Sequence, residues 1–173
     1  MTGHILVAPE YRELRGALIF LVGPIQGAPD WQADATRIIR RINKSIHIAS
    51  PRRATESYGK GDFDSALYAQ QVDWETHYIG RSAMDGCPLI WCAREIVHDC
   101  KRAYAQTTRG EMFERKLRHQ LCGEPFALGI EPGFSGEKYI RRRFGQDCPD
   151  VPIRSTLEET CRDAVRVALG RGA

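Results

Sequence analysis

The sequence has no Cys-x-x-Cys pair, no His-Glu-x-x-His and no Gly-x-Ser-x-Gly, and each absence closes off a chemistry. None of the five histidines (His4, His47, His77, His98, His119) has metal-ligand spacing, so neither a metal site nor a cofactor is expected. Without a nucleophile elbow, serine hydrolysis of the α/β type is not indicated. The six cysteines, at 87, 92, 100, 122, 148 and 161, fall partly inside apolar runs. A reduced thiol there behaves as a small hydrophobe, and all six read as free thiols of a reducing compartment. No apolar run reaches membrane-spanning length, so no membrane partner is expected. The N-terminus lacks a charged start followed by an apolar core of about 7–15 residues, which makes a cytoplasmic location the expectation. A net charge of only +3 gives little reason to propose a nucleic-acid polymer as partner.

What the sequence does contain is an alternation of short apolar runs with longer amphipathic stretches. Over 173 residues, 42% are hydrophobic and 27% charged, the balance of an ordinary globular chain. Residues 1–173 read as one domain without repeats or low-complexity linkers. Such alternation predicts an α/β fold in which helices cover a mostly parallel sheet of four to five strands. The strand candidates are 17–22 (ALIFLV), 45–50 (SIHIAS), 88–92 (PLIWC), 125–130 (PFALGI) and a short one at 151–153. Helical spacing runs through Trp31, Ala35, Ile38, Ile39 and Ile42, then over 66–83, 108–121, 138–144 and 157–169. A polar, Gly-containing stretch after Arg53, up to Asp64, reads as a long loop.

In an open parallel sheet the ligand sits outside the carboxyl ends of the strands, near the point where strand order reverses. That rule nominates 23–27, 50–53, 92–111 and 131–136. Gly23, Pro24, Ile25, Gln26 and Gly27 could cradle an anion, although Pro24 removes a donor and the spacing is not Gly-x-Gly-x-x-Gly; the plainer reading is a strand-to-helix turn. Arg52 and Arg53 are placed to clamp a phosphate or carboxylate, or to pair with surface acids such as Glu56. Cys92, at a strand end, is the best-placed thiol nucleophile, against the plainer reading of a buried structural thiol.

Within QVDWE (71–75), Glu75 shares a helical stripe with Tyr68, Val72 and Ile79, which should face the sheet. A carboxyl there is either partly buried, with a pKa raised toward acid/base work, or snorkels from the stripe edge to solvent or an Arg. Asp73 points about 200° away. TTRGEMFE (107–114) leaves two readings of Glu111 open. Thr108 and Glu111 have capping-box spacing, with Arg109 and Gly110 as the first helical residues. Alternatively Glu111 is a nucleophile at a strand end, and Gly110, costing up to about 1 kcal/mol relative to Ala in a helix, is kept because something approaches the backbone.

Taken together and in order, IFLVGPIQGAPDW (19–31), SPRR (50–53), QVDWE (71–75), LIW (89–91) and TTRGEMFE (107–114) resemble the nucleoside 2-deoxyribosyltransferase-like family, over about residues 5–132. The resemblance implies a flavodoxin-like (Rossmann-like) three-layer α/β sandwich, usually a homo-oligomer. It implies cleavage of the N-glycosidic bond of a nucleoside or nucleotide through a covalent glycosyl-Glu intermediate, the sugar passing to another base or to water. It maps the nucleophile onto Glu111 and the assisting acid onto QVDWE, where the stripe argument prefers Glu75 to Asp73. Gly23, Pro24, Ile25, Gln26 and Trp31 would shape the pocket, Arg52 and Arg53 would hold a 5′-phosphate, and Arg109 and Gly110 would border the nucleophile.

The chain departs from the classical enzymes at three places. Ala105 stands near where a further acid is usual, Phe113 where a Gly is usual, and Phe20 roughly where an active-site Tyr is. These differences favour hydrolysis or an altered substrate over classical transfer. An inert nucleotide-sensing module and an NAD or ADP-ribose glycohydrolase are the other readings.

Overall fold

The apolar runs become strands because each is short, rich in branched side chains and bounded by breakers. The computed structural model, which describes residues 2–53 and 65–170, arranges them in a single all-parallel sheet. In chain order the elements are β1 (Ile5–Val7), β2 (Leu18–Val22), α1 (Trp31–Ile42), β3 (His47–Ser50), α2 (Ser65–Asp85), β4 (Gly86–Cys92), α3 (Gln106–Cys122), β5 (Ala127–Ile130), α4 (Glu137–Asp147), β6 (Ile153–Arg154) and α5 (Leu157–Gly170). The sheet order is β1-β3-β2-β4-β5-β6. Every residue of β2, β3, β4 and β5 is buried, as expected of parallel strands covered on both faces.

Two cores separate the layers. On one face Trp74 and Tyr78 of α2, Met112 of α3 and Phe144 of α4 pack on Phe20, Ile90 and Leu128. On the other, Trp31 and Ile39 of α1 and Cys161 and Val165 of α5 pack on Ile19, Leu21 and Leu89. The architecture is therefore the expected flavodoxin-like three-layer sandwich, with strand order reversing between β2 and β4. No helix among the described residues is long and apolar enough to cross a membrane.

The sheet has six strands among the described residues, not four or five. The extra one is β1, three residues long, too brief to register as a strand from sequence. Its pairing along β3, Ile5 opposite Ile48 through Val7 opposite Ser50, holds it in place. The stretch 54–64, read as loop, lies outside the described residues.

The stripe assigned to α2 is also corrected. Gln71, Trp74, Tyr78, Ile79, Ser82 and Ala83 are the buried residues of the helix, whereas Tyr68 and Val72 are 63% and 40% exposed. The aromatic side chains win the inward face because they bury more apolar area, and this rotates Glu75 to the stripe edge. Trp74 is fully buried, its ring 6.0 Å from Phe20 and 4.8 Å from Tyr78, and its indole N–H donates to the Glu10 carbonyl at 2.8 Å. Tyr78 completes the clasp, its hydroxyl accepting from the Arg12 amide at 2.8 Å. Trp74→Ala is expected to cost about 3–5 kcal/mol, seen as a lower urea midpoint with unchanged slope.

Candidate active site

At the carboxyl end of β2, where strand order reverses, lies a cleft of about 320 Å³. Its floor is the turn after β2, formed by Gly23, Pro24, Ile25 and Gln26. One wall is the first half of α2, with Tyr68, Gln71, Val72 and Glu75; the other is the start of α3, with Gln106, Thr107, Thr108 and Glu111. Arg102 and Ala105 close the side from the preceding loop.

The floor is built from behind. Trp31 donates its indole N–H to the Pro24 carbonyl at 2.8 Å, with its ring so close to Gly23 that a Cβ there would lie 2.5 Å from it and 2.4 Å from the Trp91 carbonyl oxygen. Only glycine fits that approach. Arg52 sits behind the same turn. Its guanidinium donates to Gln32 at 2.9 Å, to the Ile25 carbonyl at 3.0 Å and to the Pro29 carbonyl at 3.1 Å, and lies 3.3 Å from the Asp30 carboxylate. Arg53, 9% exposed, donates to Gln71 at 2.6 Å and to Gln70 at 3.3 Å. Trp31, Arg52 and Arg53 therefore support the cleft and do not line it. Glu56, their suggested surface partner, lies outside the described residues.

The carboxyls are set by the two walls. Gln71 accepts from Arg53 through its carbonyl, and through its amide donates to the Pro51 carbonyl at 3.0 Å and to Glu75 at 2.7 Å. Burial raises the Glu75 pKa, while the Gln71 hydrogen bond and the Arg53 charge pull it back. Asp73 is exposed and outside the cleft, as the geometry of one helical turn predicts. Across from Glu75, the Glu111 carboxyl is pushed up to about 8, first by burial and then by the charge of Glu75. Glu111 therefore holds its proton near neutrality while Glu75 stands across from it.

The capping box is not formed. α3 begins at Gln106, two residues before Thr108, and the Arg109 amide already donates to the Ala105 carbonyl at 3.0 Å. The N-cap is Ala105, in the left-handed region at φ 55, with no side chain able to cap. Thr108 is thus the third helical residue, 4% exposed, and Glu111 points into the cleft from the second turn. The TTRGE pattern imitates a helix start because Ala105, the true one, carries no polar signal. Gly110 is exposed, and no atom of another segment among the described residues comes within 4 Å of where its Cβ would be. Arg109 turns away, its guanidinium 4.6 Å over Phe134 and donating to the Ser135 carbonyl at 2.7 Å.

The sequence nominated 92–111 as a segment at this end of the sheet but did not single out Arg102, Gln106 or Thr107 within it, and it missed Gln71, which looked like one more polar helix position. Of the residues at the three departures, Phe20 lines the cleft, Ala105 borders it, and Phe113 packs 5.6 Å from Phe144 between α3 and α4. Cys92 is fully buried, its thiol pushed up to about 12 by burial, which leaves it inert. All six cysteines are free. Among the described residues no group of three or more His, Cys, Asp or Glu side chains is arranged to hold a metal ion. No protein-family model and no curated protein matches the chain.

Because burial and Glu75 raise the Glu111 pKa from 4.5, the folded state holds a proton there that the unfolded chain releases. The stability this confers is complete below about pH 4.5 and is lost as pH rises through about 8. Glu111→Gln, which keeps the shape without the charge, should leave melting unchanged at about pH 4 and raise Tm by several degrees at about pH 9. Equal melting temperatures at the higher pH would show that the carboxyl is not buried against Glu75.

Proposed function

We propose that the protein cleaves the N-glycosidic bond of a nucleoside or nucleotide by two displacements at the sugar. The observation that carries this reading is the facing of Glu75 and Glu111 across a small cleft at the strand-order reversal. Retaining glycoside cleavage asks for two carboxyls of unlike proton affinity, one to attack and one to manage the proton of the leaving group.

Glu111 attacks the anomeric carbon C1′ as the C1′–N bond breaks, and the proton that Glu111 gives up reaches the departing base by way of Glu75. A glycosyl ester on Glu111 results. Water, or a second base, then attacks C1′ from the face the first base left, Glu75 takes the attacking group's proton, and configuration is retained. Positive charge that develops on the sugar is stabilised by the carboxylates, whose effect is larger in a water-poor cleft than in solution.

The volume of the cleft, about 320 Å³, is at the small end for a ligand site and suits a nucleoside or mononucleotide better than a dinucleotide. A 5′-phosphate would meet the start of α3. There the amides of Gln106, Thr107 and Thr108 have no partner within the helix, and the Arg102 guanidinium stands beside them with no hydrogen bond or ion pair among the described residues. Glu111 lies five residues further along, about 7–8 Å by helical rise, a span suited to the distance from a 5′-substituent to C1′.

Chromatographic assay of free base from a panel of nucleosides and nucleoside monophosphates tests the reading. Glu111→Gln should reduce release by about 100-fold or more; turnover that survives unchanged would refute the nucleophile. Thermal stabilisation by nucleotides without base release would instead indicate a sensing module. Arg102→Ala should raise KM for monophosphates by about tenfold while leaving nucleosides unaffected. Arg52→Ala is expected to lower Tm rather than to change the preference for phosphate, because its donors hold the turn.

A further inference from the structure

The charge balance of the cleft is one-sided. Two carboxyls point inward, and the arginines nearest to them are committed elsewhere: Arg52 to the turn carbonyls, Arg53 to Gln71, and Arg109 to Phe134 and Ser135. Arg115, on the same helix as Glu111, is buried between Glu124 and Glu114, both at 2.5 Å. Glu111 itself has no hydrogen bond or ion pair among the described residues. Arg102 lines the cleft from the loop that precedes α3.

Gln71 adds a direction to this imbalance. Its carbonyl faces the Arg53 guanidinium and its amide faces the Pro51 carbonyl, so the amide cannot be turned over without placing two donors and two acceptors against each other. The group it presents to Glu75 is therefore always a donor, and a donor favours the carboxylate over the acid. That donor works against burial, which raises the Glu75 pKa, and a positive charge placed beside Glu75 would favour the carboxylate further.

Resting on the reading above, we propose that the preferred substrate is an N-glycoside whose base carries a positive charge, a pyridinium or N-alkylated heteroaromatic, attached to a 5′-phosphorylated pentose. Such a base neutralises the carboxyl end of the cleft while the phosphate meets the uncapped start of α3. Thr108 supports this polarity: it is 4% exposed, lines the cleft, and its hydroxyl has no hydrogen bond among the described residues. The chemistry balances without an acid. As the C1′–N bond breaks, its electron pair returns to the ring nitrogen and cancels the charge, while Glu111 forms the C1′–O bond. Water then attacks C1′, its proton goes to Glu75 and on to solvent, and the Glu111 carboxylate is restored. One proton is released for each bond cleaved.

The test uses nicotinamide mononucleotide in its oxidised pyridinium form and its reduced dihydropyridine form, which are nearly the same size and differ in ring charge. Calorimetric titration at about pH 8.5, above the value of about 8 to which the Glu111 carboxyl is raised, should show the oxidised form binding at least about tenfold more tightly. Base assay should show nicotinamide released from it. Glu75→Gln should narrow the affinity ratio to about threefold or less. Equal or tighter binding of the reduced form by the wild-type protein would overturn the charge preference. So would a higher kcat/KM for neutral-base monophosphates, although base release from them would leave the glycosidic reading standing. Absence of base release from every N-glycoside in both classes would overturn that reading and this proposal with it.

Discussion

β2 and β4 lie side by side at the centre of the sheet, and the chain leaves them for opposite faces. From β2 it passes to α1 on one side, and from β4 to α3 on the other. That divergence is the physical reason a parallel sheet opens a crevice where its order reverses. Gly23 lets the turn after β2 pass between Trp31 and Trp91, and α3 starts on an uncapped alanine that brings its first amides to the rim.

The second organising element is α2, which serves as wall and as anchor. Its inward aromatic residues, Trp74 and Tyr78, bind the crossing segment between β1 and β2 through the Glu10 carbonyl and the Arg12 amide. That packing decides the rotation of the helix, and the rotation puts Gln71 against Arg53 and Glu75 into the cleft. The orientation of a carboxyl in the candidate site is thus a consequence of aromatic burial one turn away. Coupling of this kind explains why Arg53, close in sequence to the site, meets the Gln71 amide and does not line the cleft.

Much of the fold was legible because its signals are local. Strands buried on both faces read as continuous apolar runs, and helices as periodic ones, so five of the strands and every helix were placed within about two or three residues. β1 was not legible because three residues carry no periodicity; its identity comes from the partner strand. Glu75 and Glu111 were legible as cleft residues, since carboxylates near strand ends and stripe edges stand out against their surroundings. Their neighbours were not. Thr108 looked like a cap because its residue type and spacing are those of a cap, and only the true start at Gln106 places it inside the helix.

The sequence by itself determined the layer order, the end of the sheet where the cleft lies, and the two carboxyls that line it, because hydrophobic period and strand-end position are properties of a few consecutive residues. Tertiary structure alone decided which charges are available. Arg52 and Arg53 read as a free pair of cations but are spent on carbonyls and amides 17 to 27 residues away, while Arg102, in a segment without pattern, keeps its guanidinium open beside the cleft. Whether a charged group faces a ligand or a backbone carbonyl depends on which distant segments meet around it, and no local pattern encodes that meeting.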